Sequence, residues 1–164
     1  NEALRLNPTA DVYRQRAYVA FAFGNDAVAA RDVRAYFQAP VWDSETAHYV
    51  AFLGALALRR VKQDEEAARL LDKASTAAAP GTWTARVLDF MRGKMGAAAL
   101  LAAAASDGER TEAHTYIGFD DALAGRREAA ITHFRWVRDK GSLNFVEYPI
   151  AVAELKRLDS PAAK

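Results

Sequence analysis

No alternating β-branched run of the kind that marks a strand appears along this chain; Ala, Leu, Arg and Glu dominate instead. The pattern predicts helices throughout. Punctuation is sparse and regular. Pro8, Pro40 and Pro80 each follow a helix-like stretch, where a ring without an N–H ends the helix. Gly24 and Gly125 sit between shorter helical stretches, where glycine turns left-handed at low cost. The expectation is helices of about 12–15 residues, joined in pairs by tight turns, with prolines between pairs.

The pattern also repeats. Ala17, Ala29, Val33 and Tyr36 recur in the same spacing as Gly118, Ala130, Phe134 and Val137. Gly54, Ala67, Leu71 and Ala74 follow it with one extra residue, which we place in the turn near Lys62 and Gln63. The separation of Gly54 from Gly118 is near two units of a repeat of about 34 residues. Helices that cross closely need Gly or Ala at the crossing, and a larger residue one turn on fills the groove beside it. Gly118 is the small residue and Phe134 the filler.

This spacing resembles the tetratricopeptide repeat. The resemblance implies an all-α fold, an α-solenoid of antiparallel helix pairs with a C-terminal capping helix, in one domain over residues 1–164. Residues 1–8, with Ala3 and Pro8, resemble the tail of a preceding repeat; residues 9–39, 44–79, 81–106 and 111–140 form the pairs, and 144–158 the cap. Residues 81–106 fit less well, with a shortened second helix. The C-terminal half is also similar to bacterial envelope lipoproteins of the new-lipoprotein-I type, on Gly93, Lys94, Leu100, Leu101, Glu112, Gly118, Phe134, Asn144, Phe145, Val146 and Glu147. That likeness implies an adaptor that gathers envelope proteases or cell-wall hydrolases, in the periplasm or at the outer membrane; a cytoplasmic place stays open.

In the capping segment, Asn144 reads as an N-cap with Glu147 as its capping partner, and Pro149 as the cause of a modest bend. Phe145, Val146, Ile150, Val152, Ala153 and Leu155 supply the apolar face, with Glu154, Lys156 and Arg157 on the wet one.

Composition narrows the chemistry. Among 164 residues, 22 Lys and Arg against 21 Asp and Glu leave a net charge of +1, which disfavours a dedicated nucleic-acid or anionic-membrane binder. The chain has no cysteine, hence no disulfide, thiolate nucleophile or Cys-held zinc. The nearly uncharged stretch from Met95 to Ser106 is too short to span a bilayer, so membrane attachment would need a lipid anchor outside the chain. The start at Asn1 suggests a processed protein or an excised fragment.

No catalytic constellation emerges, and no cofactor or metal is expected. His48, His114 and His133 show no metalloprotease spacing. His114, Tyr116, Asp120 and Asp121 could form an acid–base cluster, but a partly buried histidine and acids at a helix end explain them better. Asp64, Glu65 and Glu66 suit the first turn of a helix, where negative charge is favoured. The "GKMG" run at 93–96 lacks the phosphate-loop spacing, and no nucleophile elbow surrounds any serine. Arg14, Arg16, Arg31, Arg34, Arg59, Arg60 and Lys62 read as solvated helix faces, with an acidic partner as the next reading. Most aromatics read as core, with one or two as surface anchors.

In such a stack the first helix of each pair lines the concave face. That predicts a partner surface of Asp11, Arg14, Tyr18, Phe21, His48, Leu58, Glu112, Thr115 and Phe119, interspersed with Ala51 and Ala55. The expected role is a non-catalytic adaptor for a protein or peptide partner, self-association being compatible with it. The alternative is a regulatory or substrate-recruiting repeat domain of a longer enzyme.

Overall fold

A computed structural model describes residues 9–42 and 44–160, and the described residues are helical without a strand. The proposed repeat tail with Ala3 and Pro8 lies outside them. The chain divides into two compact units, residues 1–88 and 89–164, with the boundary inside one helix.

In the first unit, α1 (Ala10–Ala22), α2 (Asp26–Tyr36), α3 (Glu45–Arg60) and α4 (Asp64–Ala77) pack in chain order. The next helix, α5 (Trp83–Met91), crosses the boundary. The second unit holds α6 (Ala97–Ala103), α7 (Asp107–Leu123), α8 (Arg127–Lys140) and α9 (Glu147–Asp159), with α9 packed on both α7 and α8.

One turn is used four times. After α1, α3, α5 and α7, the second residue beyond the helix has positive φ: Gly24 at 74°, Lys62 at 61°, Gly93 at 73° and Gly125 at 76°. In each, its N–H reaches the carbonyl three residues back, and the next N–H the carbonyl five back, as in Gly24 to Phe21 and Asn25 to Ala20. This is the Schellman closure of a helix end, which satisfies carbonyls that helix termination strands. Glycine fits three of the four; Lys62 pays the steric cost of a side chain there.

The shared turn corrects the register. From Gly24, Lys62 and Gly125, the residue seven positions upstream is Ala17, Ala55 and Gly118, and the one five downstream is Ala29, Ala67 and Ala130. All six lie in helices and are buried. The turn after α3 has no extra residue; Ala55, not Gly54, takes the repeated place. Gly54 serves a different contact. A Cβ there would sit 2.5 Å from Cγ1 of Val33 on α2, so the glycine lets α3 close on the preceding pair. Gly118 does face its own pair partner, with the Phe134 ring 2.7 Å from where a Cβ would lie.

Two boundaries move. The pair assigned to 111–140 starts at Asp107, because Ser106 and Glu109 form a capping box. The last helix starts at Glu147 with Val146 at its N-cap, so Asn144 caps nothing. Pro149 therefore falls in the first turn, where no helical N–H bond is lost and the reason for expecting a bend disappears. Glu154, assigned to the wet face, is buried beside Arg157, while Val146 is exposed.

Candidate functional site

Solvent reaches only part of the predicted partner surface. Phe21, His48, Leu58, Glu112, Thr115 and Phe119 are buried within the chain, and Asp11, Arg14 and Tyr18 keep exposed surface. The reason is packing. Phe119 meets Phe134 edge-on, with ring centroids 5.0 Å apart, and Thr115 donates to the Thr111 carbonyl at 2.8 Å. Phe21 lies under the Arg60 guanidinium at 4.7 Å. Asp11 and Arg14 pair with each other one turn apart on α1.

His48 is unusual. Both its ring nitrogens are buried with no hydrogen-bond partner, and the indole N–H of Trp42 is in the same condition. A cleft of about 270 Å³ lies against both residues, but solvent does not reach these nitrogens from it.

The arginines of the first unit are largely spent internally. Asp32, fully buried, takes Arg16 and also Arg31 at 3.4 Å. Arg34 binds both oxygens of Glu66 at 2.7 Å, and Arg60 meets Asp26 at 3.3 Å. The Arg34 guanidinium, hydrogen-bonded to Glu66, holds that carboxyl below its usual range.

In the second unit the proposed acid–base set is dispersed. Tyr116 donates to Glu147 at 2.8 Å, and Arg126 takes Asp121 at 2.6 Å and Asp120 at 2.8 Å across the turn. His114 instead meets His133, their Nδ1 atoms 2.9 Å apart, and stacks on Trp136 at 3.9 Å. His133 Nε2 lies 3.9 Å from Asp121. Burial and the neighbouring imidazole push His114 down to about 4; burial also lowers His133, against the pull of Asp121. Burial raises Glu147. Sequence spacing could not pair His114 with His133, which lie on different helices.

Among the described residues no group of His, Asp and Glu could hold a metal ion, and no helix is long and apolar enough to cross a membrane. The "GKMG" glycine at 93 serves a helix-closing turn rather than a phosphate. Among the described residues, large apolar side chains that stay exposed are few. Phe23 is 86% exposed and Val19 57%, one turn apart at the end of α1; Leu143 is 73% exposed beside Val146 in the second unit. Phe23 is thus an exposed member of the aromatic set.

Compared with known proteins, the chain matches no family model and shows no significant similarity to a curated protein.

Proposed function

We propose that this chain is a non-catalytic protein–protein adaptor built on tetratricopeptide-like antiparallel helix pairs, working in a bacterial envelope. The reading rests chiefly on one observation: a single helix-closing turn is reused, and in three of its four uses buried small residues flank it at the same places. A repeat of this kind makes a surface rather than a reaction centre. Phe23 and Val19 in one unit, and Leu143 and Val146 in the other, give a partner apolar anchorage. Of the predicted surface, Asp11, Arg14 and Tyr18 are the positions such a partner would touch.

Affinity capture from the native source, with mass spectrometry and a stoichiometry measurement, tests this. A saturable partner lost on Phe23→Asp supports the adaptor role. Retention of nothing above a scrambled-surface control would refute it. Light scattering decides whether a second copy is among the partners.

A further inference from the structure

Resting on the adaptor reading, we infer that the groove between α2 and α4 receives an acidic, leucine-bearing segment of a partner protein. The groove holds about 290 Å³, room for a large side chain rather than a drug-sized ligand. Its lining combines Val33, Leu58 and Leu70 with Phe37. Val33 and Leu58 are buried, whereas Leu70 and Phe37 keep part of their surface open.

Charge sets the partner's chemistry. Arg34, Arg69 and Lys73 line the groove against a single acid, Glu66. Arg34 is committed to Glu66 through two hydrogen bonds and also reaches Gln63. The other two cations are loosely held. Arg69 forms an ion pair with Glu65 at 3.6 Å, with both side chains well exposed, and exerts a weaker pull on Glu66. Lys73 places its Nζ 5.0 Å above the Trp42 ring, a contact that leaves its charge open to a carboxylate. Arg69 and Lys73 stand one turn apart on α4, flanking Leu70, so an apolar side chain in the groove would bring a neighbouring carboxylate between them. The opposite end of the groove carries Glu66, next to Asp64 and Glu65 in the first turn of α4. That polarity orients the segment with its acidic end toward Lys73. A phosphate backbone fits worse, because it would have to shed water over an apolar floor and pass the Glu66 carboxylate.

The test uses the full chain and a short acetylated, amidated peptide carrying leucines one helical turn apart with glutamates between them. Binding is followed by the NMR shifts of the Trp42 indole N–H and the Leu70 amide. The glutamate peptide should shift both, and its lysine-for-glutamate counterpart should not. Arg69→Glu with Lys73→Glu should weaken binding about tenfold, as two exposed charge contacts predict. The milder Arg69→Gln, Lys73→Gln pair should fall between, and Lys62→Glu, outside the groove, should match wild type. Equal binding of the two peptides, shifts confined to other surfaces, or tighter binding of an oligothymidylate would overturn the proposal. So would native partner capture that survives the double charge reversal, an outcome that leaves the adaptor role standing. Loss of capture in Phe23→Asp with the peptide still seated in the groove would support both.

Discussion

Lowering the pH should strip stability from the second unit through one pair of side chains. His114 and His133 share a hydrogen bond between their Nδ1 atoms at 2.9 Å, so one must donate and the other accept. With His133 Nε2 turned to Asp121 at 3.9 Å, the neutral pair has His114 donating and His133 accepting. A first proton is best placed on His133, beside Asp121; it then donates to His114, and the pair titrates as a unit. A second proton has no favourable place, with Trp136 stacked on His114 at 3.9 Å. His114 is lowered from 6.5 to about 4 by burial and by His133. The folded state therefore binds fewer protons than the unfolded one. Its stability is full above pH 6.5 and is lost as pH falls toward about 4. At about 1.4 kcal/mol per unit the whole shift would be worth about 3 kcal/mol, and screening at this partly exposed side chain cuts it to about 1–2. Urea melts of wild type and His114→Gln across this range check it. Glutamine keeps a hydrogen bond to His133 without titrating. Taking the difference between the two proteins cancels other groups, including Glu147, whose raised value acts in the opposite sense. Parallel stability curves for the two proteins would refute the argument.

Four further outcomes follow from the packing. Gly118→Ala places a methyl 2.7 Å from the Phe134 ring and should cost about 1–3 kcal/mol in urea denaturation, an overpacking penalty larger than the helix-propensity gain. Lys62→Gly should raise stability by about 0.5–1 kcal/mol, because the relief of positive φ exceeds the added freedom of the unfolded chain; an unchanged melt would mean Lys62 is not strained. Arg16→Ala leaves the Asp32 carboxylate buried with only the longer Arg31 contact, and should lower stability by about 2–4 kcal/mol in urea denaturation at neutral pH. His48→Leu removes two unpartnered nitrogens from the core and should raise the melting temperature, corresponding to about 1 kcal/mol.

The helices were legible because their stops were written in residues with fixed backbone habits. Gly24 and Gly125 stood where φ turns positive, and Pro40 and Pro80 follow α2 and α4 within a few residues. Lys62 hid the third equivalent turn, since lysine carries no turn signal, and the register slipped by one from Ala55 to Gly54 as a result. The start of α9 was misplaced for a related reason. Asn144 and Glu147 have the types and spacing of a capping box, but Glu147 is drawn inside by the Tyr116 hydroxyl, a contact across 31 residues that no local pattern records.

The partner surface was the least legible part, and the cause is specific. A partner surface on α1, α3 and α7 presumes that each first helix shows one face to solvent. In α3 every residue from Ala47 to Leu58 except Tyr49 is buried, so this helix has almost no outward face. The second unit breaks the companion premise that acids mark the wet side. Glu112, Glu147 and Glu154 are all buried there, two of them held by Tyr116 and Arg157. A carboxylate enters a core only with a partner that offsets its lost hydration: Glu147 finds Tyr116 on another helix, and Glu154 finds Arg157 one turn on in its own helix. Amphipathic periodicity sees one helix at a time, so it cannot tell a glutamate facing water from one facing a tyrosine. Burial and contacts in the structure, not periodicity, bring out the open surface: Phe23 and Val19 at a turn, and Arg69 and Lys73, held only loosely by Glu65 and the Trp42 ring, beside a partly open Leu70.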